Sequence, residues 1–134
     1  MQKHNEKIVF TNGCFDILHR GHLELLRYCS SIGRVIVGLN SDASVKRLKG
    51  CKRPINKEND RQFHLESLKY VDEVFIFHED TPYNLIKRIK PHYIVKGGDY
   101  SADSVVGADL AKVLIFSHLN EYSTTKTIED IANR

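Results

Sequence analysis

Five short apolar runs, each followed by a segment of helical period, limit the folds open to this chain more than any other feature. The runs are Ile8-Val9-Phe10, Val35 to Leu39, Val74 to Phe77, Tyr93 to Val95 and Val113 to Phe116. They are β-branched or aromatic and nearly continuous, the pattern of strands buried on both faces. Helical spacing recurs in Leu25, Leu26, Cys29 and Ile32, in Leu65 and Leu68, in Leu85, Ile86 and Ile89, and in Ile128 and Ile131. Pro82 suits a first helical turn after Thr81, and Pro91 stops that helix. This β-α alternation predicts a single α/β domain over residues 1–134, a parallel sheet with helices on both faces. Two stretches interrupt the rhythm: a polar loop from Ser41 to Asn59, and the segment from Gly97 to Asp109.

With 134 residues, 41% hydrophobic and 28% charged, the chain is sized and composed for one soluble core. A net charge of +3 is too mild to argue for nucleic acid. No apolar run approaches the roughly 20 residues of a transmembrane helix. The opening MQKHNEKIVF lacks the apolar stretch of a signal peptide, so the expected compartment is the cytoplasm. Cys14, Cys29 and Cys51 are odd in number and widely spaced, which fits neither a disulfide framework nor a zinc knuckle.

In a doubly wound sheet, ligands bind beyond the carboxyl ends of the strands. Five polar segments fall there: TNGCFDILHRGH (residues 11–22), Asn40-Ser41-Asp42, Glu79-Asp80-Thr81, Lys96-Gly97-Gly98-Asp99 and the stretch before Ser123. A helix amino terminus leaves N–H groups unpaired and carries partial positive charge, so it accepts phosphate. Gly21 clears space for a bulky anion near the backbone, and His19 and His22 can donate to phosphoryl oxygens. A metal reading of the histidines is weaker, because neither an H-E-x-x-H helix nor a third nearby ligand accompanies them.

The basic cluster KRLKGCKR, by itself a solvated surface, then acquires a use. Lys46, Arg47 and Lys49 follow the second strand on the same edge, where they can stabilise charge on phosphate oxygens. Arg61 can form a two-pronged phosphate contact, though a surface salt bridge explains its position equally well. Ser123, Thr124 and Thr125, with Lys126 behind, open the last helix and form a cap or a second anion cradle. Two such termini on one crevice suit a nucleoside triphosphate. The P-loop, the G-x-G-x-x-G fingerprint and the G-x-S-x-G elbow are all missing from the sequence.

Together TNGCFDILHRGH, NSDASVKRLKG, RPIN followed by Arg61, EDTP, VKGGDY and STT resemble the cytidylyltransferase-like branch of the HIGH-motif nucleotidyltransferases. Within it, the blocks look most like the adenylyltransferases acting on D-glycero-β-D-manno-heptose 1-phosphate, found alone or as half of a bifunctional enzyme. The resemblance runs from about Ile8 to Ile131. It implies a flavodoxin-like sheet of order 3-2-1-4-5. It also implies that a sugar phosphate attacks the α-phosphate of ATP, with Mg²⁺ on the triphosphate and pyrophosphate released. By resemblance His19, His22 and Lys46 would be catalytic. Thr11, Asn12, Gly13, Cys14, Phe15, Gly21, Arg61, Gly98, Asp99, Ser123, Thr124 and Thr125 would meet the nucleotide. Asp16, Lys49, Glu79, Asp80 and Thr81 would meet the acceptor. A homodimer is usual in the family.

Glycerol-3-phosphate cytidylyltransferases share the paired histidines and the STT helix, but carry an arginine before STT where this chain has none. EDTP and KGGDY point to the heptose branch instead. Glu121 stands where related enzymes have glycine, so its carboxylate must turn from the triphosphate or meet Mg²⁺ or a lysine. An inactive nucleotide sensor and a zinc protein using Cys14, His19 and His22 are the readings from other classes.

Overall fold

A computed structural model describes residues 7–98, 100–117 and 131. Its elements run β1 (Ile8–Gly13), α1 (Arg20–Ile32), β2 (Arg34–Asn40), α2 (Asp42–Lys49), α3 (Glu58–Glu66), β3 (Glu73–Phe77), α4 (Tyr83–Ile89), β4 (Tyr93–Gly97), a 3₁₀ turn (Ala102–Ser104) and β5 (Lys112–Phe116). All five strands are parallel in the order β3-β2-β1-β4-β5. This is the doubly wound order implied above, and each apolar run lies in its expected strand. β1 and β4 are adjacent in the sheet although two strands separate them in the chain, so the switch in strand order falls between them.

Alternation along the strands supplies the two cores. Val9, Val35, Val37 and Val95 pack on one face with Leu25, Leu26 and Cys29 of α1 and Leu65 of α3. Phe10, Ile36 and Ile94 face the other way, onto Leu85 and Ile86 of α4. Glycine in β2 makes this second packing possible: a Cβ on Gly38 would lie 2.6 Å from Phe10 Cζ. Gly33 permits an equally tight entry to β2, because a Cβ there would lie 2.0 Å from the Lys7 carbonyl oxygen.

Three helix boundaries refine the reading from sequence. The stretch expected to be a loop from Ser41 to Asn59 contains α2 and the start of α3. Ser41 caps α2 by accepting from Ser44 N at 3.2 Å, Asp42 occupies the first turn, Lys46, Arg47 and Lys49 the last, and Gly50 closes it at φ 104°. These are ordinary start and stop signals that complement the helix dipole. Short length and high polarity hid them. Pro82 is the residue before α4 rather than inside its first turn, and Lys90, left-handed at φ 55°, ends that helix ahead of Pro91. Ile131 is helical, while Ile128 and the rest of the expected last helix lie outside the described residues.

Candidate active site

The site begins with a tight turn after β1. Phe15 adopts φ 45°, which is costly for a residue with a side chain, and turns the backbone toward α1. Its ring is 4% exposed and packs against His22, with centroids 5.2 Å apart. His19 then occupies the N-cap of α1, and the two histidines cap the helix reciprocally. His22 N donates to His19 Nδ1 at 3.4 Å, and His19 N donates to His22 Nδ1 at 3.2 Å. The rings stack with centroids 3.8 Å apart. A capping box built from serine and glutamate uses side-chain oxygens in these places; here both acceptors are imidazole nitrogens.

That arrangement dictates tautomer. An Nδ1 that accepts a hydrogen bond carries no proton, so each neutral ring holds its proton on Nε2. Burial lowers the His19 pKa. Burial first and the neighbouring His19 second bring His22 down to about 4. At neutral pH the pair therefore presents two N–H donors without net charge.

Both rings border a cavity of 480 Å³ beyond the carboxyl ends of the strands. The β1–α1 turn contributes Asn12 to Asp16, the end of α2 contributes Leu48 and Lys49, and Arg53 follows. Asp80, Thr81 and Pro82 close a third side, with Lys96 and Val106 opposite. Spaces of 160 and 150 Å³ share Asn12 and Lys96 with it; Thr11 borders the first and Tyr100 both.

Arg61 explains how the loops stay assembled. It is fully buried. Its Nη1 donates to the carbonyls of Cys14 at 2.8 Å and Asn40 at 2.7 Å. Nε donates to the Asn56 carbonyl and Nη2 to Asp42 Oδ1, both at 2.8 Å. One guanidinium thus joins the ends of β1 and β2 to α2 and α3. It does not border the cavity, in contrast to the phosphate contact expected from sequence.

Asp16 works similarly from the other side. It has no exposed side-chain surface and pairs with Arg53 Nε at 3.0 Å. It also accepts from Ile55 N and Asn56 N at 2.8 Å each. The RPIN segment is therefore docked on the β1–α1 turn. Asp42 and Glu58 each accept the other's backbone N–H at 2.8 Å, fastening α2 to α3. Arg47 binds Asp80 at 2.8 Å and the His78 carbonyl, which ties α2 to the EDTP loop.

Other expected residues are placed less directly. Lys46 is exposed on α2 and does not border the cavity, whereas Lys49 does. Gly21 is buried in the first turn of α1. Glu79 is exposed and contributes its carbonyl, which accepts from Ser44 Oγ at 2.9 Å. Gly98, at φ 104°, donates to the Phe116 carbonyl at 3.0 Å. Asp99, Glu121, Ser123, Thr124 and Thr125 lie outside the described residues.

The structure adds Leu48, Arg53, Pro82 and Val106 to the cavity wall, and brings to it Asn40 and Lys96 from segments expected at this edge. Lys96 had a visible signal: a lone cation directly after a buried strand. Cys14 is half-buried, and burial raises its thiol pKa against the lowering pull of Lys49, Arg61 and Arg53. It is a neutral thiol rather than a nucleophile. Among the described residues, no group of three His, Cys, Asp or Glu side chains is arranged to hold a metal.

Residues 10–132 match the profile of the cytidylyltransferase-like family. The chain belongs to that family. It is 56% identical over 131 residues to the bifunctional protein HldE of Nitratiruptor sp., covering 96% of this chain and 28% of that protein. The HldE of Helicobacter pylori strain Shi470 is 53% identical over 133 residues, covering 98% and 29% respectively. The chain thus spans little more than a quarter of the length of these relatives. Among solved structures it is similar to a lipopolysaccharide core biosynthesis protein from Thermoplasma volcanium. That likeness has a TM-score of 0.69 at 28% identity over 84% of this chain and 96% of that one. A pantoate-β-alanine ligase from Francisella tularensis shares the fold, with a TM-score of 0.63 at 18% identity over 97% of this chain and 70% of that one. No helix among the described residues is long and apolar enough to cross a membrane.

Proposed function

We propose that this chain is a nucleotidyltransferase that moves AMP from ATP to D-glycero-β-D-manno-heptose 1-phosphate, giving ADP-heptose and pyrophosphate. The observation that carries the reading is the reciprocal cap of His19 and His22. It puts the proton of each neutral ring on Nε2, at a helix amino terminus beside a cavity that Lys49 and Lys96 also border. Such donors can follow charge as it grows on the α-phosphate oxygens in the transition state, without a covalent enzyme intermediate.

The heptose acceptor is supported by the EDTP and KGGDY blocks and by identities of 51 to 56% to HldE proteins. These favour it over glycerol 3-phosphate and CTP. Measured pyrophosphate release, with ATP and CTP each tested against sugar and polyol phosphates, decides the matter. We expect release with ATP and the heptose phosphate. Nucleotide binding without pyrophosphate from any acceptor would instead mean a sensor.

Mg²⁺ fits as a companion of the triphosphate rather than as a resident of the protein. The cavity carboxylates Asp16 and Asp80 are already paired with Arg53 and Arg47. The ion would neutralise phosphate charge, with its ligands drawn chiefly from phosphate oxygens and water. We place the enzyme in the cytoplasm, where ATP is supplied, and as a homodimer, which sedimentation analysis tests.

A further inference from the structure

Lys96 stands at the end of β4, half-buried, where three spaces meet. Among the described residues it is the one lysine or arginine that borders both the 480 Å³ cavity and the 160 Å³ space beside it. His22 borders the same two spaces, so the neutral imidazole and the ammonium share one junction. Lys49 borders only the larger cavity, and the arginines nearby are engaged by carboxylates. Arg53 is paired with Asp16, Arg47 with Asp80, and Arg61 is enclosed by carbonyls and Asp42. The Lys96 Nζ lies 5.2 Å from the centroid of the Tyr100 ring.

Two phosphates must meet in a transfer of this kind, and the histidines bring hydrogen bonds but no charge. The α-phosphate of a nucleotide carries one negative charge as a diester-like group. A phosphate monoester carries closer to two at neutral pH, so it has the greater need of a full cation. We propose that Lys96 seats the phosphate of the acceptor at the junction where it meets the α-phosphate, and so selects phosphorylated over neutral acceptors. The inference rests on the transfer reading above.

In the step it serves, an acceptor phosphate oxygen forms a bond to the α-phosphorus. The bond from that phosphorus to the bridging oxygen of pyrophosphate breaks, and its electron pair leaves with pyrophosphate. Lys96 keeps its proton throughout. Burial, and to a lesser degree the charge of Lys49 in the same cavity, hold the Lys96 pKa below its ordinary value. An anion between the two ammonium groups relieves both effects.

The test uses the chain with α,β-methylene-ATP bound, titrated with D-glycero-β-D-manno-heptose 1-phosphate and separately with inorganic phosphate. Lys96→Gln is expected to weaken both phosphate ligands by about tenfold or more, with affinity for the nucleotide analogue changed less than about threefold. Lys96→Arg is expected to recover most of the loss. Analogue binding doubles as the check that each variant folds; if Lys96→Gln fails it, Lys96→Met is read in its place. Equal losses, a larger loss for the nucleotide, or a parent chain that binds neither phosphate would overturn the proposal. Pyrophosphate release by the unmodified chain judges the transfer reading separately. Absence of release sinks that reading alone if Lys96→Gln still loses phosphate binding selectively.

Discussion

The imidazoles of His19 and His22 lie 3.8 Å apart, centroid to centroid, and 23° from parallel, each accepting the backbone N–H of the other residue. Protonating either Nδ1 removes an acceptor from the cap, and protonating both rings stacks two cations. The neutral pair is therefore a condition of the fold at the start of α1.

This linkage sets a pH dependence. The folded His22 pKa is about 4 against an ordinary 6.5, so between these values the unfolded chain binds more protons. Stability from this group is complete above pH 6.5 and is lost as pH falls toward 4. Thermal melts across that range should show Tm falling, and the fall should shrink in His22→Ala. An NMR titration placing the His22 midpoint near 6.5 would contradict the buried, capped geometry.

Replacing His22 should affect turnover far more than nucleotide affinity, because the Nε2–H contact gains strength as charge develops. We expect His22→Ala to lower kcat by about 10² to 10³ while changing ATP affinity less than about threefold. A stability loss of about 1 kcal/mol should accompany it from the broken cap. Single-turnover kinetics and equilibrium ATP binding separate the two effects.

Arg61 should behave as a structural residue. Its removal leaves Asp42 without its guanidinium partner and three carbonyls without a donor. Arg61→Ala should destabilise the fold by about 3 to 5 kcal/mol, seen as a lower urea midpoint. Arg47→Ala breaks an exposed pair with Asp80 and should cost under about 1 kcal/mol. Similar midpoints for the two variants would show that Arg61 does not hold the loops together.

Cysteine labelling offers an independent check of the cavity floor. Cys51 is exposed, Cys14 is half-buried with its thiol pKa raised, and Cys29 is fully buried. Iodoacetamide at pH 7.5 should modify Cys51 first, with Cys14 slower by about tenfold or more and Cys29 protected. Peptide mass spectrometry follows each site, and added ATP should slow Cys14 further.

Gly38→Ala probes how closely the second core is packed. Its Cβ would meet Phe10 Cζ at 2.6 Å and Leu85 Cδ2 at 3.2 Å. We expect a loss of about 1 to 3 kcal/mol from displacing these side chains, read by denaturant unfolding.

Strand positions, the main helices and the siting of His19 and His22 at a helix start were legible from sequence because each depends on neighbouring residues. Val9 and Phe10 differ by one position and so face opposite cores; Leu25, Leu26 and Cys29 recur on one side of α1. Which cations face the ligand was not legible. Arg61 looked available for phosphate until carbonyls 47 and 21 residues away claimed it. Lys46 was expected to be catalytic and Lys49 to meet the acceptor, both from one basic loop. Only Lys49, the last residue of α2, borders the cavity; Lys46 stands one turn earlier and does not. Lys96 fell in a segment expected at the ligand edge, but its place where three spaces meet was not visible. Local periodicity writes the elements into the sequence, whereas the burial and partner of a long charged side chain depend on loops that meet only after the sheet has assembled.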